Sequence, residues 1–190
     1  MKYRQTTQTM DTNHDPLVIF TDYNDCVLSD VTLPNMILNT TSNDDGIVSK
    51  EQIDFLNRCT TLMSGDWFNL LDTMKSLQIP RSVHDTSNHS YGKLDLILAA
   101  ETTYSLESSQ DTAYLLLHHL KPNGIGLVAC KRYYFGVGGG SDEFVKAAKG
   151  LVLKEDGVEW NLQLELVRQC NDGKSNIRDL WKVTMVSSNA

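Results

Sequence analysis

Apolar positions recur along this chain in two rhythms: short unbroken runs, and sets spaced three and four residues apart. "LVIFTDY" (17–23), "KLDLILAA" (93–100) and "IGLVACK" (125–131) are unbroken runs, and runs of this length predict strands buried on both faces. "TTLMSGDW" (60–67) predicts another strand closed by a turn, with a helix over "WFNLLDTMKSL" (67–77). Val27, Val31 and the Ile37/Leu38 pair fall at helical spacing, and Pro34 should break or kink that helix. Ala113, Leu116, Leu117 and Leu120 share one helix face, and "KPNG" (121–124) should stop that helix. His118 and His119 then belong to its last turn and to the surface. A further helix is predicted from about Asp142 to Gly150, with Ser141 as its N-cap.

The end of the chain alternates instead. "VEWNLQLELVR" (158–168) and "RDLWKVTMVS" (178–187) are strands joined by the turn-rich "QCNDGKSN". Polar "NTTSNDDG" (39–46) and "PRSVHDTSNHSYG" (80–92) are loops, and residues 1–16 form a polar, aperiodic lead-in. Strands alternating with helices predict an α/β fold, a Rossmann-like sheet with helices on both faces that finishes in an antiparallel hairpin.

Composition narrows the chemistry only a little. The 190 residues are 41% hydrophobic and 22% charged, ordinary for a globular domain. A net charge of −7 disfavours a broad grip on nucleic acid. No apolar run approaches the roughly 20 residues of a membrane span. Cys26, Cys59, Cys130 and Cys170 stand far apart, which predicts reduced thiols and no zinc site.

In open α/β sheets, ligands bind beyond the carboxyl ends of the strands. Asp22 closes its strand there, where an acid either binds a ribose hydroxyl pair or is simply solvated. In "SGDW", Asp66 could accept from an adenine amino group beside the apolar wall of Trp67, or the turn could only anchor the next helix. Glu101 ends a strand, where a carboxylate must be hydrogen-bonded or face a cleft. Tyr104 follows it with an aromatic face and a hydroxyl. The glycine stretch in "KRYYFGVGGGSDEF" (131–144) lacks the lysine of a P-loop and comes too late for a dinucleotide fingerprint. It is expected to shape an acceptor pocket rather than to hold phosphates.

Taken in order, "FTDYN…VTLPN", "SGDW", "DLILAAETTY", "LKPNG…GLVACKRYYFGVGGG" and the final hairpin resemble the protein-histidine N-methyltransferases. These are seven-strand enzymes that use S-adenosylmethionine to modify a histidine of a large-subunit ribosomal protein. The resemblance runs over residues 17–187 and implies that 17–190 form a methyltransferase-like domain. It implies that Asp22, with Tyr23 and Asn24, binds the cofactor ribose and that Gly65, Asp66 and Trp67 flank the adenine. Glu101, Tyr104, Phe135, Gly136, Val137, Gly138, Gly139 and Gly140 would face the methyl acceptor. The family's first strand and its glycine-rich cofactor turn should precede Asp22, yet no glycine precedes Gly46. That segment is therefore expected to be missing or divergent, and the chain to be a fragment. Two functions stay open: a histidine methyltransferase of cytoplasm and nucleus, or an inactive relative that binds a ribosomal or assembly partner.

Overall fold

A computed structural model describes residues 16–40, 47–76, 93–173 and 176–188. The expected lead-in, most of the loop after residue 40 and the loop over 80–92 lie outside these residues, as does the segment where a cofactor turn was sought. Among the described residues seven strands divide between two sheets. The described residues also divide into two compact units, one ending at Gly65 and the other beginning at Asp66.

In the first unit, β1 (Val18–Asp22) pairs in parallel with β2 (Thr60–Ser64). β1 is not buried on both faces as expected. Val18 is exposed and the other four residues are half-buried, because β1 has a single partner strand among the described residues. Helix α1 (Asp25–Val27) leads into a π-helical turn (Leu28–Thr32) and then α2 (Leu33–Thr40). Pro34 therefore does not break the helix. The turn before it widens, with the Leu33 N–H reaching back to the Leu28 carbonyl. A wider turn relieves the clash between a proline ring and the carbonyl four residues earlier.

Helix α3 (Lys50–Cys59), not foreseen above, opens with a reciprocal capping box. The Ser49 hydroxyl accepts from the Gln52 N–H (3.3 Å), and the Gln52 amide oxygen accepts from the Ser49 N–H (2.8 Å). Gln52 also donates to the terminal Thr40 carbonyl of α2 (3.1 Å). Leu28, Leu56, Cys59 and Met63 are buried in this unit.

The second unit begins with α4 (Trp67–Ser76) and holds a five-stranded sheet in the order β3-β4-β7-β6-β5. These strands are β3 (Leu94–Ala100), β4 (Leu120–Lys131), β5 (Leu153–Glu155), β6 (Val158–Asn171) and β7 (Ile177–Ser187). β3 runs parallel to β4, and the β6–β7 hairpin joins β4 in antiparallel sense. The α/β class with its antiparallel end is thus the observed architecture. β5 is a three-residue strand too short for its pattern to have announced it.

Helices α5 (Leu106–His119) and α6 (Ser141–Lys149) pack over this sheet. Leu116, Leu117, Leu120, Val128, Phe144 and Val183 meet there, all with 0–1% exposure. Among the described residues β3 has β4 as its single partner strand, so only Ile97 of it is buried, and Leu96 and Leu98 are exposed. The expectation of a strand buried on both faces fails for that reason.

Helix α5 ends directly before "KPNG", as expected, with Leu120 as its C-cap. The helix ends at His119, and residues 121–124 bulge from the β4 ladder between the Leu94–Leu120 and Leu96–Ile125 pairs. Asn123 takes a left-handed φ of 67°, and Lys121 Nζ grips both Asp95 oxygens at 3.0 Å. His119 is buried at 1% exposure because this last turn faces the core, whereas His118 stacks on Tyr114 with centroids 4.1 Å apart. Ser141 is not a cap: Gly140 holds that position, and the Ser141 hydroxyl accepts from Trp181 Nε1 (2.8 Å). All four cysteines are free thiols, with Cys59 and Cys130 buried. No described helix is long and apolar enough to cross a membrane.

The seating of α6 on the sheet rests largely on Phe144. Phe144→Ala should lower unfolding free energy by about 3–5 kcal/mol, measurable by urea titration. A loss below about 1 kcal/mol would show that α6 contributes little to this core.

Candidate functional site

The first residue beyond β3 is Glu101, and its backbone is left-handed (φ 56°). For a side-chain-bearing residue this conformation costs about 1–2 kcal/mol, so the surroundings must hold it. The Glu101 N–H donates to the Ala129 carbonyl (2.8 Å), one step past the β3–β4 ladder. Its carboxylate is held at both oxygens. The Tyr134 hydroxyl donates to Oε2 (2.7 Å), and the Arg178 Nε stands 3.5 Å from Oε1. Tyr134 is itself fixed, its hydroxyl accepting from the Lys131 N–H (3.2 Å) and its ring lying 5.4 Å from Lys131 Nζ. Burial pushes the Tyr134 hydroxyl far up from its ordinary range; the Lys131 N–H opposes this and the Glu101 carboxylate adds to it. Tyr134 therefore stays a donor at any physiological pH.

The glycine stretch is a tightly seated loop. The Val137 N–H reaches the Tyr134 carbonyl (3.4 Å) across a turn with Gly136 at φ 84°, and the Tyr134 N–H reaches the Gly139 carbonyl (3.3 Å). Gly138 makes an antiparallel bridge to Ser105. A Cβ at Gly139 would overlap backbone atoms of Thr103, Tyr104 and Ser105. This close approach seats the loop against the "ETTY" turn. Ser105 is held in turn by a capping box with Ser108 at the start of α5. With its backbone tied down, the loop presents Phe135, 89% exposed, together with Tyr133 and Val137 to solvent; Tyr104 beside it is also exposed. A cleft of about 230 Å³ is lined by residues 131–135, Val137, Asn176 and Ile177.

Below the loop root lies a buried polar layer. Asp179, fully buried, accepts from Gln169 Nε2 (2.8 Å) and stands 3.7 Å from Arg132 Nε. The Arg132 N–H donates to the Ile177 carbonyl (2.8 Å), stapling the loop to β7. Burial pushes the neighbouring Cys130 thiol up to about 11, although the Thr103 and Ser141 hydroxyls draw it part of the way back. At neutral pH it is an inert thiol.

The remaining expected residues sit at other strand ends. In the first unit, the Gly65 N–H donates to the Asp22 carbonyl (3.1 Å), and Asp22 Oδ1 accepts from the Asn24 N–H (2.9 Å). That side chain thus shapes the turn into α1 and keeps Oδ2 clear of hydrogen bonds among the described residues. Tyr23 beside it is exposed, and Gly65 has φ 141° with open space around it. In the second unit, Asp66 is exposed just before α4, its carbonyl accepting from the Leu70 N–H (3.0 Å). The Trp67 indole N–H is buried without a hydrogen-bond partner among the described residues. Asp111 feels Asp66: burial first, then the charges of Asp66 and Glu107, raise its carboxyl.

The structure thus brings Glu101, Tyr104 and residues 135–140 together, and separately Asp22, Tyr23, Asn24 and Gly65. Asp66 and Trp67 stand at the head of α4. Tyr134 and Arg178 were missed. The doubled tyrosine before "FGVGGG" was a signal for the first, whereas Arg178 comes to Glu101 only through the β4–β7 pairing, where it faces Lys131. Among the described residues no cluster could hold a metal ion.

No family model matches the chain. The histidine protein methyltransferase 1 homolog of Dictyostelium discoideum is 30% identical over 168 residues, covering 88% of this chain and 42% of that protein. The homolog of Bos taurus is 34% identical over 136 residues, with 67% of this chain and 34% of that protein covered. Histidine protein methyltransferase 1 of Schizosaccharomyces pombe is 34% identical over 144 residues, or 71% and 41%. The chain spans less than half the length of these relatives. Among solved structures it resembles the Methanococcus jannaschii fibrillarin pre-rRNA processing protein, with a TM-score of 0.44 at 12% identity over 87% of this chain and 55% of that one.

Two glycines of the loop should respond differently to alanine. Gly136→Ala meets open space and pays only for its left-handed backbone, about 1 kcal/mol. Gly139→Ala must lift the loop from residues 103–105, costing about 1–3 kcal/mol and opening residues 131–140 to proteolysis. Equal stability and equal protease resistance of the two variants would contradict this seating.

Proposed function

Because the chain belongs to the histidine protein methyltransferase 1 family, we propose that it methylates an imidazole nitrogen of a histidine in a protein, using S-adenosylmethionine. The observation that carries this reading is Glu101, a carboxylate fixed beyond the end of β3 under an aromatic-rimmed loop. A carboxylate so placed accepts the N–H of one imidazole nitrogen and leaves the other, with its lone pair, facing away. Free histidine has a pKa near about 6.5, so the neutral ring is abundant without a strong base. The chain's contribution is then orientation within about 3–3.5 Å of the methyl carbon.

S-adenosylmethionine supplies, when bound, a methyl carbon made electrophilic by its sulfonium. Asp22 is the acceptor proposed for its ribose hydroxyls, with Tyr23, Asn24 and Gly65 shaping that turn. For the adenine we propose Asp66 as acceptor and Trp67 as apolar wall. The acceptor nitrogen forms its new N–C bond as the S–C bond breaks, the electron pair leaving with sulfur. The ring becomes a cation, which the Glu101 carboxylate stabilises, and its remaining N–H proton passes to Glu101 or to water.

We extend the proposal to a large-subunit ribosomal protein as substrate. A chain of net charge −7 and a basic ribosomal protein attract one another over several ångströms. Four free thiols accord with an encounter in the cytoplasm or nucleus.

Calorimetric titration with S-adenosylhomocysteine should give micromolar binding, weakened about tenfold or more by Asp22→Ala. Glu101→Gln should leave that affinity alone and cut turnover about 100-fold. A folded chain that binds no S-adenosylhomocysteine would instead support an inactive relative that only binds a partner.

A further inference from the structure

Resting on the reading of Glu101 as the acceptor-binding carboxylate, we propose that Tyr134 and Arg178 are the positioning residues that make Glu101 choose one ring nitrogen. A carboxylate on a rotatable side chain can meet either N–H of two imidazole tautomers with the ring in either flip. Here each oxygen has a partner of its own. Oε2 takes the Tyr134 proton at 2.7 Å, and Oε1 is drawn toward the Arg178 Nε at 3.5 Å. Both anchors are backbone-set: the Tyr134 hydroxyl is registered by the Lys131 N–H, and Arg178 faces Lys131 across the β4–β7 ladder. The left-handed backbone of Glu101, bonded to Ala129, fixes the third point.

A carboxylate offers about four lone-pair positions; the Tyr134 hydrogen bond takes one on Oε2, and the Arg178 Nε at 3.5 Å is an ion-pair contact that biases Oε1 without closing it. The plane in which an N–H can approach is therefore single, and the ring is admitted in one orientation. The nitrogen that donates to Glu101 cannot be methylated, and the other must be. Glu101 alone would hold a histidine; the clamp gives the product one isomer. The Arg178 contact lies half in solvent and adds little to stability as an ion pair; its part in the clamp is to direct Oε1.

The test uses the whole chain, tritiated S-adenosylmethionine and isolated large-subunit ribosomal proteins, with hydrolysis and separation of the two methylhistidine isomers. The wild-type chain should yield one isomer. Tyr134→Phe should lower kcat about tenfold, leave S-adenosylhomocysteine affinity unchanged, and release more than about a tenth of the product as the other isomer. Arg178→Gln reads the same ratio if Tyr134→Phe does not fold. A single isomer from either folded variant overturns the inference, even if kcat falls. A readout independent of turnover is the ring-nitrogen NMR shift of ¹⁵N-labelled 4-methylimidazole with the chain and S-adenosylhomocysteine. One tautomer should be enriched by the wild-type chain and not by Tyr134→Phe; equal enrichment by both overturns the clamp. If the wild-type chain labels no histidine, the methyltransferase reading fails, and the NMR comparison still decides whether the clamp orients an imidazole.

Discussion

The backbone of the glycine loop lies against the turn after β3 so closely that Gly139 has no room for a Cβ, and the candidate site depends on that approach. It brings Tyr134, thirty-three residues along the chain, within hydrogen-bonding distance of Glu101. The same approach turns Phe135, Tyr133 and Val137 outward, so that an apolar rim stands in solvent beside a half-exposed polar anchor. Binding groups placed on strand ends and a pinned loop hold their geometry better than groups on a free loop. Close contact requires Gly139, whereas Gly136 and Gly138 supply left-handed backbone in open space.

Magnitudes separate what stabilises the fold from what serves the site. The core under α5 and α6 buries several large side chains completely, each worth a few kcal/mol. The contacts at Glu101 are far weaker: one charge-assisted hydrogen bond and one half-exposed ion pair, against the cost of a left-handed backbone. The Glu101 N–H bond to Ala129 helps to hold that backbone, and the two side-chain contacts direct the carboxylate more than they stabilise the fold. The buried Asp179 layer plays a different part, tying Arg132 and the loop root to β6 and β7.

Much of this was legible in the sequence wherever a signal is local. The strand–turn "DLILAAETTY" and the late glycine cluster pointed to two segments that do meet, and alternation pointed to the closing hairpin. "SKEQ" before the helix over 50–59 is a capping box in plain letters, and it went unread because the following residues are mostly polar. Burial was less legible. β3 reads as a core strand, yet with β4 as its single partner among the described residues Leu96 and Leu98 are exposed; an apolar run does not encode which neighbours the sheet supplies. His119 was misplaced for the converse reason, since the end of its helix faces inward. The partners of Glu101 could not be read at all. Tyr134 and Arg178 reach it through the register of β3, β4 and β7, which no local pattern encodes.

The central claim is that Glu101, held from behind, receives an imidazole at the end of β3. A crystal structure of the chain soaked with S-adenosylhomocysteine and 4-methylimidazole tests it most directly. The account predicts an imidazole nitrogen about 2.6–3.2 Å from a Glu101 carboxylate oxygen, with Tyr134 still bonded to Oε2. An imidazole bound elsewhere, or a Glu101 side chain released from Tyr134 and turned to solvent, would contradict it.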